Sequence, residues 1–99
     1  LFIIGGTLTP SGGSSLPGYH GAIAESKRQK INAWIRNSGA YDAVIDFDAA
    51  LADPENPALM RADLSADGLH PNAKGYQVMA NTALFVLNKM LPNKRREIE

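Results

Sequence analysis

Two short apolar runs, Leu1-Phe2-Ile3-Ile4 and Ala43-Val44-Ile45-Asp46-Phe47, bracket a segment of helical periodicity, and that alternation restricts the fold more than any other feature of the chain. The first run meets no polar residue before Gly5-Gly6. Such continuity is expected of a central strand covered on both faces in a parallel sheet, not of a strand with one wet face. Between the runs, from about Gly21 to Ser38, the apolar residues Ile23, Ile31, Trp34 and Ile35 recur at helical spacing while Glu25, Lys27, Arg28 and Lys30 fill the other faces. Gly39 stands where a left-handed residue closes a helix, and Trp34 is expected as a core anchor. Strand, helix and strand in this order predict the α/β class, with parallel strands joined by a right-handed crossover.

The remaining segments fit that frame. Thr7 to Tyr19 is rich in Gly, Ser and Pro and follows the carboxyl end of the first strand, where α/β proteins build their sites; it is expected to form one wall of a substrate cleft or else a surface loop. Gly12-Gly13-Ser14-Ser15 lacks the Lys-Ser/Thr of a phosphate-binding loop. Beyond the second run, Asp48 is expected to cap a short helical turn starting at Ala49, and Asp46 to hydrogen-bond to a neighbouring loop. Glu55 to Ser65 reads as irregular, with Pro57 opposing regular pairing and Arg61 or Asp63 within reach of the next turn. A final helix is predicted over Ala73–Met90, ended by Pro92, with Tyr76, Met79, Ala80, Ala83, Leu84 and Leu87 as its core stripe. Phe85 and Val86 fall partly off that stripe, toward a partner surface or a further part of the fold.

Ten basic and ten acidic residues give zero formal charge, so the chain lacks the electrostatic footprint of a nucleic-acid or anionic-membrane binder. Lys94-Arg95-Arg96, offset by Glu97 and Glu99, reads as a solvated tail. No segment is long and apolar enough to span a membrane. With no cysteine, disulfides and thiolate metal sites are excluded and the compartment stays open, a secreted parent included. Asp46 and Asp48 could in principle share a cation, but capping is the simpler reading; His20 and His70 are too isolated for zinc.

The chemistry concentrates in Asp67-Gly68-Leu69-His70-Pro71-Asn72-Ala73-Lys74-Gly75-Tyr76. An acid and a histidine three residues apart, immediately before a helix, can form the acid–base half of a catalytic triad: the carboxylate accepts the Nδ1–H and steadies the imidazolium that forms when Nε2 takes a proton. Pro71 holds His70 extended, and Asn72 can cap a helix beginning at Ala73. The plainer alternative is a loop hydrogen bond followed by a cap. His20, at the entry of the first helix, has no acid beside it and reads as a cap or cleft-edge residue.

Asp-x-x-His-Pro-Asn followed by glycine and an amphipathic helix resembles the last block of the SGNH, or GDSL-type, serine esterases and lipases. The resemblance extends through Gly6-Thr7-Leu8-Thr9-Pro10, Ala33-Trp34-Ile35-Arg36 and Val44 to Leu51. It implies the C-terminal portion of a three-layer α/β/α, flavodoxin-like fold, residues 1–99 forming one segment of a single domain whose serine-bearing N-terminal part lies elsewhere, with Leu1 a cut inside a longer protein. It further implies ester hydrolysis without metal or cofactor: a serine attacks the acyl carbonyl, His70 moves the proton and Asp67 orients His70. The Gly-Asp-Ser-Leu block and the oxyanion-hole blocks are absent, and Ser11, Ser14, Ser15, Ser26, Ser38 and Ser65 stand in no nucleophile motif. Ser65 reads as a loop or cap residue. The implied partners are an ester of a lipid or an acylated carbohydrate and the rest of the same fold, with self-association as the fallback. The alternative from another class is a non-enzymatic fragment or interaction module that requires a partner chain.

Overall fold

A computed structural model describes residues 1–91. Strand β1 (Ile4–Gly6) lies parallel to β2 (Ala43–Ile45), in the register Ile4↔Ala43, Gly5↔Val44 and Gly6↔Ile45, and helix α1 (Ala22–Asn37) forms the connection between them. The mixed α/β class and the parallel pair therefore agree with the sequence. The strand begins three residues later than the apolar run, and its Gly5 leaves room for the ring of Tyr41: a β-carbon there would stand 2.6 Å from that ring. Leu1, Phe2, Ile3 and Ile4, expected to be covered on both faces, are exposed.

Helix α1 ends as its sequence predicts, with Gly39 at φ +76° just beyond the Ser38 cap. Its buried face differs from the predicted one. Arg28, Asn32 and Ile35 point inward, whereas Ile23, Ile31 and Trp34 are exposed. Trp34 is 55% accessible and meets Tyr41 edge-on at 6.0 Å between ring centroids, so it is no core anchor. A polar stripe at the i, i+4, i+7 spacing faces the interior because its partners across the interface are a carbonyl and a carboxylate, described below.

After β2 the chain enters α2 (Phe47–Leu51) two residues earlier than predicted. Asp46, not Asp48, is the N-cap, its side chain accepting the Ala49 N–H, and it also accepts the Thr7 hydroxyl at 2.9 Å from the neighbouring loop as expected. Glu55 to Ser65, read as irregular, contains a paired strand: β3 (Ala52–Asp53) and β4 (Asn56–Met60) form an antiparallel hairpin despite Pro57. The register slips between Ala52 and Asp53, which accommodates a residue with no N–H to donate. A 3-10 turn (Ala62–Leu64) follows and then helix α3 (Ala73–Met90), whose bounds match the sequence prediction.

The core is small: Leu51, Met60 and Leu64 are buried together, and α3 lays Val78 and Met79 against them. The half-buried face of α3 runs through Val78, Met79, Thr82, Ala83, Val86 and Leu87, so the predicted stripe is rotated; Tyr76, Ala80, Leu84 and Phe85 are exposed, and Val86 belongs inside. Pro92 and the basic run Lys94-Arg95-Arg96 lie outside the described residues. No helix among the described residues is long and apolar enough to cross a membrane.

Candidate active site

Residues Leu64 to Gly75 fold upon themselves. Ser65 Oγ accepts the Gly68 N–H at 3.0 Å and lies 2.7 Å from the His70 carbonyl and 3.2 Å from Asp67 Oδ1; its single hydroxyl proton goes to the nearer carbonyl. Asp67 Oδ1 accepts the backbone N–H groups of Leu69 and His70, both at 2.8 Å. That leaves Oδ2 aimed at His70 Nδ1, 2.7 Å away. The bend requires Gly68 at φ +75°, a left-handed conformation that side-chain-bearing residues disfavour. At the far end, Asn72 donates its N–H to the Leu64 carbonyl at 2.8 Å and its Nδ2 to the Asp63 carbonyl at 3.0 Å, while its side chain caps α3 by accepting the Gly75 N–H at 2.9 Å. Gly75 seats the helix, since a β-carbon there would come within 2.6 Å of the Leu64 carbonyl oxygen.

These contacts set the protonation pattern. The His70 ring N–H, then the backbone N–H groups of His70 and Leu69, hold the Asp67 carboxyl far below the usual carboxylate range. An ionised Asp67 only accepts, so Nδ1 carries the hydrogen, and in the neutral ring Nε2 is left as a proton acceptor. No described residue hydrogen-bonds to Nε2. The side chain of His70 is 69% accessible and that of Asp67 53%, so the pair is open to an incoming molecule. The structure thus brings together the two residues that the sequence singled out.

Beside the turn lies an open groove of about 310 Å³. Leu8 and Tyr19 from the loop after β1, Ala24 and Ile31 from α1, and Leu69 from the turn itself contribute apolar surface to it. The Thr7–Tyr19 loop therefore does form a wall of this groove. It is pinned at two points: Gly12 donates to the Ala58 carbonyl at 2.9 Å, and Gly13 packs on Gly68 so closely that a β-carbon on Gly68 would lie 2.5 Å from the Gly13 carbonyl carbon. His20 places Nδ1 3.0 Å from the Leu16 carbonyl and is not among the residues lining the groove.

A second set of polar residues holds the base of the loop. Arg28, 5% accessible, bonds Asp48 at 2.5 Å, Glu25 through two nitrogens at 2.6 and 2.9 Å, and the carbonyls of Leu8 and Pro57. Arg36 joins Asp48 to Asp46 at 2.8 Å each, and Asn32 both donates to the Leu8 carbonyl and accepts its N–H. Asp46 and Asp48 thus meet guanidinium groups; among the described residues no cluster of three His, Asp or Glu side chains is placed to hold a metal. Sequence reasoning missed this network, having put Arg28 on a solvent face, and it missed that Ser65 staples the inside of the turn. The available signals were the 28, 32, 35 spacing and a serine three residues before Gly68.

Four of the six serines have their hydroxyls engaged within the fold. Ser11 donates to the Tyr19 carbonyl, Ser14 and Ser38 accept from Leu16 and Ala40 N–H groups, and Ser65 is committed to the turn. Arg61 pairs with Asp63, which in turn bonds Lys74 of α3 at 2.9 Å and so braces the turn from outside.

A family model described as the GDSL-like lipase/acylhydrolase family matches residues 2–78, from the start of the chain through the Asp67–His70 turn into the first turns of α3. No curated protein matches the chain. Because that family match covers most of the sequence, the parallel pair and the turn with its acid and imidazole included, the chain belongs to the GDSL-like lipase/acylhydrolase family, a family of hydrolases.

Proposed function

We propose that this chain supplies the acid and the base of a Ser-His-Asp ester hydrolase, with the serine and the oxyanion donors provided by residues outside these 99. The observation that carries the proposal is the 2.7 Å contact between Asp67 Oδ2 and His70 Nδ1, on an imidazole whose side chain is exposed and whose neighbour Leu69 lines the groove. In the reaction the serine oxygen attacks the ester carbonyl carbon as its proton passes to Nε2; collapse of the tetrahedral adduct expels the alcohol, which takes that proton from His70. Water then attacks the acyl-serine, losing a proton to Nε2 that His70 returns to the serine. Asp67 keeps the ring in one tautomer throughout and stabilises its cationic form.

The exposed apolar positions support the architectural half of this proposal. Phe2, Ile3 and Ile4 beside β1 and Leu84 and Phe85 on α3 are the surfaces that the remaining layers of an α/β/α sandwich would cover. The same observation supports the second reading, an interaction module whose exposed strand edges pair with another chain or another copy.

The test compares hydrolysis of p-nitrophenyl acetate by the 99-residue chain and by a protein extended upstream to include a serine block. Turnover is expected in the extended protein only, since nucleophile and oxyanion donors supply most of the acceleration. Turnover by the 99-residue chain that disappears in His70→Ala would place a nucleophile within it. An inactive extended protein would favour the module, and sedimentation equilibrium would then identify self-association.

A further inference from the structure

The groove lined by Leu69, the residue before His70, is apolar in its walls but not neutral. Of the charged residues lining it, both are cations, Lys27 and Arg28, and neither is an acid, although the chain as a whole has ten of each sign. The two cations are not equivalent. Arg28 is buried and its guanidinium is fully engaged by Glu25, Asp48 and two carbonyls. Lys27 is exposed at the groove, and its ammonium group makes no ion pair or hydrogen bond with any described residue. The acids of the surrounding network are already taken: Glu25 by Arg28 and Gln29, Asp48 by Arg28 and Arg36, Asp67 by His70. A cationic side chain on a residue that lines a small apolar groove, with no partner among the described residues, attracts an anionic oxygen group on a molecule whose apolar body fills the groove. At about 310 Å³ the groove has the volume of about ten water molecules, room enough for a short organic chain.

We infer that Lys27 is a specificity-determining residue, selecting esters that carry a carboxylate or phosphate on a short chain and binding that anion while the ester bond lies at His70. This inference rests on the ester-hydrolase reading for the identity of the reacting bond, but not for the binding it predicts. Thr9 and Ser11, which also line the groove, place hydroxyl-bearing side chains beside the same space.

The experiment reads binding by ¹H–¹⁵N correlation spectra of the protein titrated with butyrate, butyl phosphate and the neutral butyramide. The anions are expected to shift the amides of Ser11, Tyr19 and Leu69 and to bind about two- to fivefold more tightly than butyramide, the advantage one partly exposed ion pair supplies. Comparing butyrate with butyl phosphate tells which anion is preferred. Lys27→Gln should erase the advantage and Lys27→Arg retain it, while Lys30→Gln, a lysine on the same helix outside the groove, should leave it unchanged. Added salt should diminish it. Equal binding of butyrate and butyramide, an unaltered preference in Lys27→Gln, or no shift at these amides would each overturn the assignment of Lys27. None of those outcomes touches the hydrolysis assay on the extended protein, so failure of the anion site and failure of the esterase reading are told apart.

Discussion

Replacing Arg28 by methionine removes the guanidinium while keeping most of the stem's apolar volume, and the structure fixes what each former partner has left. Asp48 loses the donor to Oδ1 but keeps Arg36 on Oδ2 at 2.8 Å. The Leu8 carbonyl keeps Asn32 at 2.9 Å, and Glu25 and Pro57 reach water. The main loss is one charge-assisted hydrogen bond to a carboxylate whose side chain is only 9% accessible, half-compensated by the second arginine. Removing one partner of a buried pair costs about 3–5 kcal/mol when the other is stranded, so a partly compensated loss should cost about 2–4 kcal/mol. Asp48→Asn should be milder, about 1–2 kcal/mol, because Arg28 retains its two-point contact with Glu25 and Arg36 retains Asp46. Replacing both by apolar residues, Arg28→Met with Asp48→Leu, strands neither charge and should cost less than the sum of the two single apolar replacements by about 1–2 kcal/mol. Urea unfolding followed by far-ultraviolet circular dichroism measures all of these. An Arg28→Met protein within about 0.5 kcal/mol of the unaltered chain, or strictly additive effects, would refute the claim that this network anchors the groove wall.

Three further outcomes are expected. In the serine-bearing protein, His70→Ala should abolish nearly all turnover and Asp67→Asn should lower kcat on the order of a thousandfold or more; wild-type-like rates in either would remove that residue from the mechanism. Gly68→Ala faces both a left-handed φ and the Gly13 backbone at 2.5 Å, and should lower the melting temperature well beyond Gly18→Ala, which has φ +88° but open space around it and bears only the conformational cost of about 1–2 kcal/mol; equal shifts would show that the two loops do not touch. The carboxyl groups of Asp67, held down by His70, of Asp46, by Arg36, and of Glu25, by Arg28, all titrate lower in the folded chain than in the unfolded one. Their stabilisation is complete about one pH unit above the unfolded values of about 4 and is lost as pH falls through the folded ones, so the urea midpoint should drop as pH is lowered from about 5; a flat or rising midpoint would contradict the contacts.

The parts of this molecule that were legible in the sequence are those whose causes are local. Helix α3 could be placed to the residue because Pro71, Asn72 and the apolar spacing all act within one turn of its start, and the Asp67–His70 contact could be foreseen because a three-residue separation and a glycine confine both side chains to one bend. The inward face of α1 was not legible. Its determinants, the Leu8 carbonyl and the Asp48 carboxylate, lie 24 positions from Asn32 and 20 from Arg28 respectively, and a periodicity that counts only apolar residues reports Ile23 and Trp34 instead. The β3–β4 hairpin escaped for a related reason: Pro57 argues against a strand locally, while the pairing that overrides it comes from Ala52 and Asp53 across the turn. The exposure of Leu1 to Ile4 inverts what their hydrophobicity suggests, since cover is a property of neighbours and not of the run itself.

Every hydrogen bond that orients the acid and the imidazole originates between Asp63 and Gly75, with Ser65, Gly68 and Asn72 as the fixed points. The pair is therefore held almost wholly within its own turn, and of the groove-lining residues Leu69 alone, through its backbone N–H, takes part in that alignment among the described residues. On the proposed reading, substitutions along Leu8, Lys27 or Ile31 would reshape the groove without moving the Asp67–His70 pair, and chemistry and selectivity could drift separately in descendants of this chain. Besides Leu69, which lines the groove and donates its N–H to Asp67, the bare backbone contact of Gly13 with Gly68 is a mechanical link between the two, a pair of side-chain-free residues through which a change in the wall would be felt by His70.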